Sequence, residues 1–240
     1  MKKILLLLLI IPNILLSFDH NHTAFDGILK KYVRNGKVNY KGIKKVENSF
    51  NSYLNSLSAV SQSQYNGFNK NQKLSFLINA YNAFTIKLIL DNYPLKSIKS
   101  IGFLPGAAWK KEFFKLLGQE RNLDWIEHQQ LRVKFNEPRI HFAIVCASIG
   151  CPPLISEAFT PEKLETQLEA NTEKFLKDKS KNKYDPSKKI LYISPIFKWF
   201  KKDFEKNGSV ISFVKKFMGV DIPEKSEIEY TYYNWNLNEQ

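Results

Sequence analysis

The longest run of near-continuous apolar positions spans residues 70–93 (KNQKLSFLINAYNAFTIKLILDNY) and stops at Pro94. Apolar side chains recur round almost its whole circumference at helical spacing, which predicts a buried central helix. One narrow polar stripe interrupts it, made of Ser75, Asn79 and Asn82. Amides inside a buried helix need partners, because an unpaired one costs ~1–3 kcal/mol. Two roles fit Asn79 and Asn82: cross-bracing of neighbouring loops, or orientation of a catalytic histidine or an oxyanion.

Before this helix, Phe18 to Thr23 reads as a loose segment with His20 and His22 in solvent, and Phe25 to Tyr32 as helix or turn. Asn35-Gly36 between Val33, Val38 and Tyr40 predicts a hairpin. Ile43, Val46, Phe50, Leu54 and Leu57 share a helical face over residues 43–60, and residues 62–67 break the pattern. After it, residues 95–112 read as loop and short turns, and residues 113–123 as a second hairpin. Asp124 is placed to cap a short helix to Phe135, with Glu127 at the position of a capping-box acid and Trp125, His128, Arg132 and Phe135 on one face.

Residues 140–146 read as a buried strand. Thr160-Pro161 opens a helix carrying Leu164, Leu168 and Phe175 as its stripe. A strand over 190–194, an aromatic helix over 195–204, a helix over 210–218 closed by Gly219 and an alternating strand over 228–236 complete the chain. No repeat and no low-complexity linker divides it. The expected fold class is α+β: a mostly helical single domain over residues 18–240 with a small antiparallel sheet.

At the start, Lys2 and Lys3 precede an apolar run from Ile4 to Ile11, then Pro12, Asn13 and Ile14 to Ser17. This shape predicts a signal peptide over residues 1–17 and a periplasmic or secreted protein. The formal net charge is +13, concentrated in residues 173–189 and at Lys198, Lys201 and Lys202. A solvated lysine-rich face is the plain reading; such a face also attracts anionic surfaces and allows peripheral membrane contact. Phosphate-binding motifs and nucleic-acid modules are absent, so no nucleic-acid partner is expected, and no cofactor.

Both cysteines fall in one stretch, RIHFAIVCASIGCPPLISEAFT (139–160), just after DWIEHQQLR (124–132). Three chemistries compete for them. A nucleophilic Cys146 needs a nearby base. His141 lies five residues earlier, on the opposite face if the segment is a strand, so His128 is the preferred base. Export favours the alternative of a Cys146–Cys151 disulfide. A zinc site built from His128, His141, Cys146 and Cys151 has the right residue types, yet it is the least favoured and no metal is expected.

The blocks LSFLINAYNA (74–83), LDWIEHQQLR (123–132), RIHFAIVCASIGCPPL (139–154) and YNWNLN (233–238) resemble the DUF547 family, domain of unknown function 547, over roughly residues 25–238. The chain departs from that family's pattern at Leu77, Val145 and Ile155. The family's blocks look similar to those of papain-like or transglutaminase-like thiol enzymes, with His before Cys as a rearranged order. The resemblance marks Asn79, Tyr81, Asn82, Glu127, His128, Arg132, His141 and Cys146 as family-motif positions and centres on the first cysteine. The family has no settled activity, so the chemistry is read from the clustering of reactive residue types in two of these blocks: a thiol-dependent hydrolase or acyl-transferase on amide or thioester bonds of peptides or cell-envelope material, in which Cys146 attacks, His128 takes its proton, and Asn79 or Asn82 orients, with Glu127 and His141 as further site residues. The alternative is a non-catalytic periplasmic binding module with a Cys146–Cys151 bridge and a basic surface for an anionic partner.

Overall fold

A computed structural model describes residues 17–240; the leader expected over residues 1–17 lies outside the described residues except for Ser17. The chain opens with helix α1 (Thr23–Tyr32) and the hairpin β1 (Val33–Arg34) and β2 (Lys37–Val38), paired Val33 to Val38. Asn35 and Gly36 both take positive φ, 52° and 79°, as a two-residue hairpin turn demands. Helices α2 (Tyr40–Lys44), α3 (Glu47–Ala59) and α4 (Gln62–Gly67) follow. The helix expected over 43–60 is therefore two helices, and residues 62–67, read as a break, form a turn of helix with its own Ser61/Gln64 capping box.

Helix α5 (Lys70–Asp91) is the predicted central helix. Asn69 and Gln72 close its N-terminus reciprocally. Residues 74–86 are all buried, and the rest of the core packs around them as one cluster. The polar stripe is buried as well and fully used. Asn79 clamps both backbone groups of Phe159, at 2.7 and 3.0 Å. Asn82 donates to the Ala143 carbonyl and accepts from the Val145 N–H, both at 2.9 Å. The two amides are cross-braces between the central helix and the loops that lead to and from the cysteines.

Beyond α5 come α6 (Ala107–Lys110) and the hairpin β3 (Phe114–Leu116) and β4 (Gln119–Arg121), turning at Leu117-Gly118. The expected short helix from Asp124 begins as a π-helix, Trp125–Leu131, and ends as α7 (Arg132–Lys134). Asp124 makes no capping bond; Asn122 accepts the Trp125 N–H instead, at 2.8 Å. Glu127 is thus no capping-box acid.

The strand expected over 140–146 is absent. Pro138–Phe142 form a 3₁₀ helix, and turns follow. Pro138 pre-sets the helical φ at the start, and Asn82 satisfies the later backbone groups that a neighbouring strand would otherwise have to pair. Helix α8 (Leu164–Leu176) starts four residues after Thr160, later than expected. Arg139 ties the 3₁₀ helix to it through Glu165 and Glu169, at 2.7 and 2.9 Å.

Strands β5 (Lys183–Asp185) and β6 (Ile190–Ile193), helices α9 (Ile196–Trp199), α10 (Lys201–Phe204) and α11 (Val210–Met218), and strand β7 (Glu227–Tyr230) finish the fold. β6 pairs antiparallel with β5 but parallel with β7, so the sheets are three small ones, not one antiparallel sheet. The fold is α+β, mostly helical, one domain. At the N-terminal end, Phe18–Thr23 is not loose. Phe18 packs edge-on against His22 and Phe76, and His22 is 1% exposed, its Nδ1 2.7 Å from the Tyr53 hydroxyl. Among the described residues no helix is long and apolar enough to cross a membrane.

Candidate active site

The small-residue loop after the 3₁₀ helix is held open by backbone demands that only some residues meet. Ala147 sits at φ 57°. Gly150 packs so closely on the C-terminal segment that a Cβ would lie 2.8 Å from the Tyr233 ring and 2.9 Å from the Asn234 nitrogen. The segment 234–238 is zipped along the loop by Ile149 to Asn236, Gly150 to Asn234 and Asn238 to Ala147 backbone bonds. This zipper brings Tyr233 and Trp235 beside the cysteines.

Cys146 and Cys151 form a disulfide, their Cα atoms 6.3 Å apart. Cys146 is half-buried and Cys151 buried, so Cys146 is the more exposed of the two. Polar donors surround both. The Cys146 N–H points at the Cys151 sulfur at 3.0 Å, and the Tyr233 hydroxyl lies 3.2 Å from each sulfur. The Ser148 hydroxyl lies 3.2 Å from Cys146 Sγ and 3.3 Å from Cys151 Sγ.

The cysteines form one wall of a cavity of about 360 Å³, within the range of small-molecule sites. Glu127, His128 and His141 line it too, so four of the six residues singled out in the sequence converge there. Asn79 and Asn82 do not line it; Asn82 acts on it indirectly by gripping Val145, the residue before Cys146. Much of the remaining wall is aromatic, with Tyr81, Trp109, Trp199, Phe200, Tyr233 and Trp235.

Glu127 comes from the π-helix, whose wider turn sets residues out of the α-helical register, a distortion common at functional sites. It is 7% exposed and accepts the Tyr81 hydroxyl at 3.2 Å; Trp109 donates to that same hydroxyl at 3.2 Å. Burial pushes its carboxyl up to about 7, against the pull of the Tyr81 bond and the Arg132 charge. At neutral pH it is poised between acid and base.

The two histidines differ in what their nitrogens are free to do. Arginine can only donate, so the Arg132 contact at 2.9 Å occupies the His128 Nδ1 lone pair. His128 Nε2 then carries the proton and faces Asp124 at 3.5 Å. His141 also turns Nε2 to a carboxylate, but among the described residues no arginine occupies its Nδ1. Its Nε2 lies 2.8 Å from Asp203 Oδ2, and its ring stacks on Phe200 at 3.9 Å.

Burial alone would raise the Asp203 carboxyl, but the hydrogen bonds from His141 and Arg132 outweigh it and hold it well below the usual carboxylate range. An ionised Asp203 fixes the His141 proton on Nε2 and leaves the Nδ1 lone pair unengaged. Burial pushes His141 below its ordinary pKa, with Asp203 opposing, so the ring is a neutral base at pH 7. The pairing expected between Cys146 and His128 is not a hydrogen bond in this structure; His141 with Asp203 is the better-equipped pair.

Asp203 and Tyr233 are the site residues that sequence reasoning missed. Asp203 sits in KWFKKDFEK, a run that reads as a charged face. Tyr233 begins the YNWNLN block, and that block was the available signal. Among the described residues no cluster of three or more His, Cys, Asp or Glu is arranged to hold a metal, and both sulfurs are committed to each other.

Residues 65–176 match the family described as "Protein of unknown function, DUF547". Residues 65–176 carry a DUF547 family domain. The match covers the central helix, the π-helix and the cysteine loop, a narrower span than the 25–238 expected, and the YNWNLN block lies beyond it. No curated protein matches the chain, and no solved structure does. The DUF547 span thus supplies Glu127, His128, His141 and both cysteines, while from later in the chain Tyr233 joins the cavity wall and Asp203 backs His141.

Proposed function

We propose that this DUF547 domain is a thiol-dependent hydrolase or acyl-transferase acting on amide or thioester bonds, with Cys146 as nucleophile and the Cys151 bridge as its resting, masked form. What supports this reading is one observation: the more exposed cysteine of the pair shares a single, largely aromatic cavity with Glu127, whose carboxyl burial pushes up to about 7, and with His141, which Asp203 holds from behind. The papain- or transglutaminase-like comparison is carried over for this chemistry alone.

A dithiol opens the bridge by exchange, giving up two electrons and two protons and leaving as its own disulfide. His141 Nδ1 takes the Cys146 proton, as Asp203 keeps its opposite nitrogen protonated. The thiolate attacks the carbonyl carbon, and the electron pair moves onto oxygen. Collapse expels an amine or thiolate, which takes the Glu127 proton. Water or an acceptor nucleophile, losing its proton to the Glu127 carboxylate, then attacks the acyl-thioester, and the expelled Cys146 thiolate recovers its proton from His141. The envelope destination follows from the leader expected over residues 1–17, and with it peptides or cell-envelope material as substrates.

A simple acyl thioester tests the proposal. Intact mass of the reduced protein, and of Cys151→Ser in which no bridge can form, should show one acyl adduct. Cys146→Ser and the oxidised protein should show none. No adduct on Cys151→Ser, or an adduct that survives in Cys146→Ser, rules the nucleophile out. The second reading, a binding module stapled by Cys146–Cys151, draws on the bridge itself and on Lys99 and Lys110 at the edge of the aromatic cavity. It predicts that the oxidised, bridged protein binds an anionic ligand and that the reduced protein forms no acyl adduct.

A further inference from the structure

A loop on the cavity's rim takes no part in the core. Residues 102–106 project between the short 3₁₀ turn Ile98–Ser100 and α6, which pack against each other. The neck is tight: Gly102 has φ +82°, and a Cβ there would meet the Ala107 Cβ at 2.6 Å. The Ala107 N–H closes the crown by donating to the Leu104 carbonyl at 3.0 Å. At that crown Phe103 is fully exposed and Leu104 75% exposed, with Pro105 exposed beside them. Two large apolar side chains at the tip of one closed loop are not scattered surface residues.

The collar below the tip is basic. Lys96 and Lys99 precede the loop and Lys110 and Lys111 follow it, all exposed. Among the described residues none of the four takes part in an ion pair, whereas ten other lysines do. Lys99 lies over the Trp235 ring at 4.9 Å. Glu112 is the one acidic residue between positions 92 and 119.

We propose that this loop is a membrane-docking tip: Phe103 and Leu104 enter the acyl-chain boundary of an anionic leaflet, and the four lysines meet its headgroups. Amphipathic tips of this kind bind by a small buried apolar area plus attraction of basic residues to anionic lipid. A protein partner fits less well, because a stable protein interface needs roughly 800 Å² per side and two side chains do not supply it. Gly106, Trp109, Lys99 and Lys110 also line the cavity, so docking would set its mouth at the lipid surface. The inference does not depend on the chemistry assigned to Cys146.

The test uses the full chain with vesicles of 30% phosphatidylglycerol in phosphatidylcholine and with phosphatidylcholine alone. Wild-type protein and Phe103→Ser/Leu104→Ser share the same N-terminus, so any difference belongs to the loop. The variant should lose about tenfold or more in partition to the anionic vesicles, and Lys96→Gln/Lys111→Gln should weaken the salt-sensitive part. A Phe103→Trp protein should add a blue-shifted emission component on the anionic vesicles, quenched by brominated acyl chains. Equal partition of wild type and the serine variant with no emission shift overturns the proposal. So does a lipid-free dimer, seen by analytical ultracentrifugation, that the serine variant abolishes, for it would make a second copy the partner.

Discussion

Glu127 is the residue whose titration is most directly exposed to test. Its folded pKa of about 7 lies above the ordinary carboxyl value of 4.5, so the native state holds a proton that the unfolded chain has released. Stability from this group is therefore complete below pH 4.5 and is lost as pH rises through 7. Glu127→Gln removes that loss. Measured by denaturant unfolding, the variant should gain on wild type between pH 4.5 and 8 by about 3 kcal/mol, with acyl transfer reduced. A constant difference across that range would mean the carboxyl is not buried as described. Asp203→Asn should lower the rate of Cys146 acylation at pH 7 by roughly a hundredfold or more while the protein stays folded, because the His141 tautomer is no longer fixed. Cys146, Glu127, His128 and His141 were legible because reactive residue types cluster in two short blocks. Asp203 was not, since its partner His141 lies 62 residues away and its own neighbours are lysines and aromatics.

At the scale of elements, the central helix was readable from its apolar circumference and from Pro94. The hairpin at Asn35-Gly36 was readable from its turn chemistry. The segment 140–146 was not, because a short apolar run does not distinguish a strand from a buried 3₁₀ turn, and the deciding partner is an amide from another element. The π-helix was equally hidden, as its register departs from the 3.6-residue pattern used to find helices. That amide gives a prediction. Asn82→Ala leaves the Ala143 carbonyl and the Val145 N–H without partners and should cost about 3 kcal/mol in denaturant unfolding. A cost under about 0.5 kcal/mol would show that the brace is dispensable.

For the molecule as a whole, the bridge between Cys146 and Cys151 closes a loop of only a few residues, so chain entropy assigns it about 2 kcal/mol. The large core around the central helix should keep the protein folded without it, which is what a reversible, functional bridge requires. Burial holds His22 down to about 3, and its ordinary value is 6.5. Its contribution is complete above pH 6.5 and is lost as pH falls toward 3, giving an acid-side loss that His22→Phe should diminish in thermal melts. The most direct test of the site is the alkylation rate of Cys146 against pH, by iodoacetamide and peptide mass mapping, before and after mild dithiol treatment. A masked nucleophile predicts no labelling before reduction; afterwards Cys146 should react well ahead of Cys151, with half-maximal rate below the ordinary thiol pKa of about 8.5. Equal, slow labelling of both cysteines with an ordinary thiol profile would contradict it.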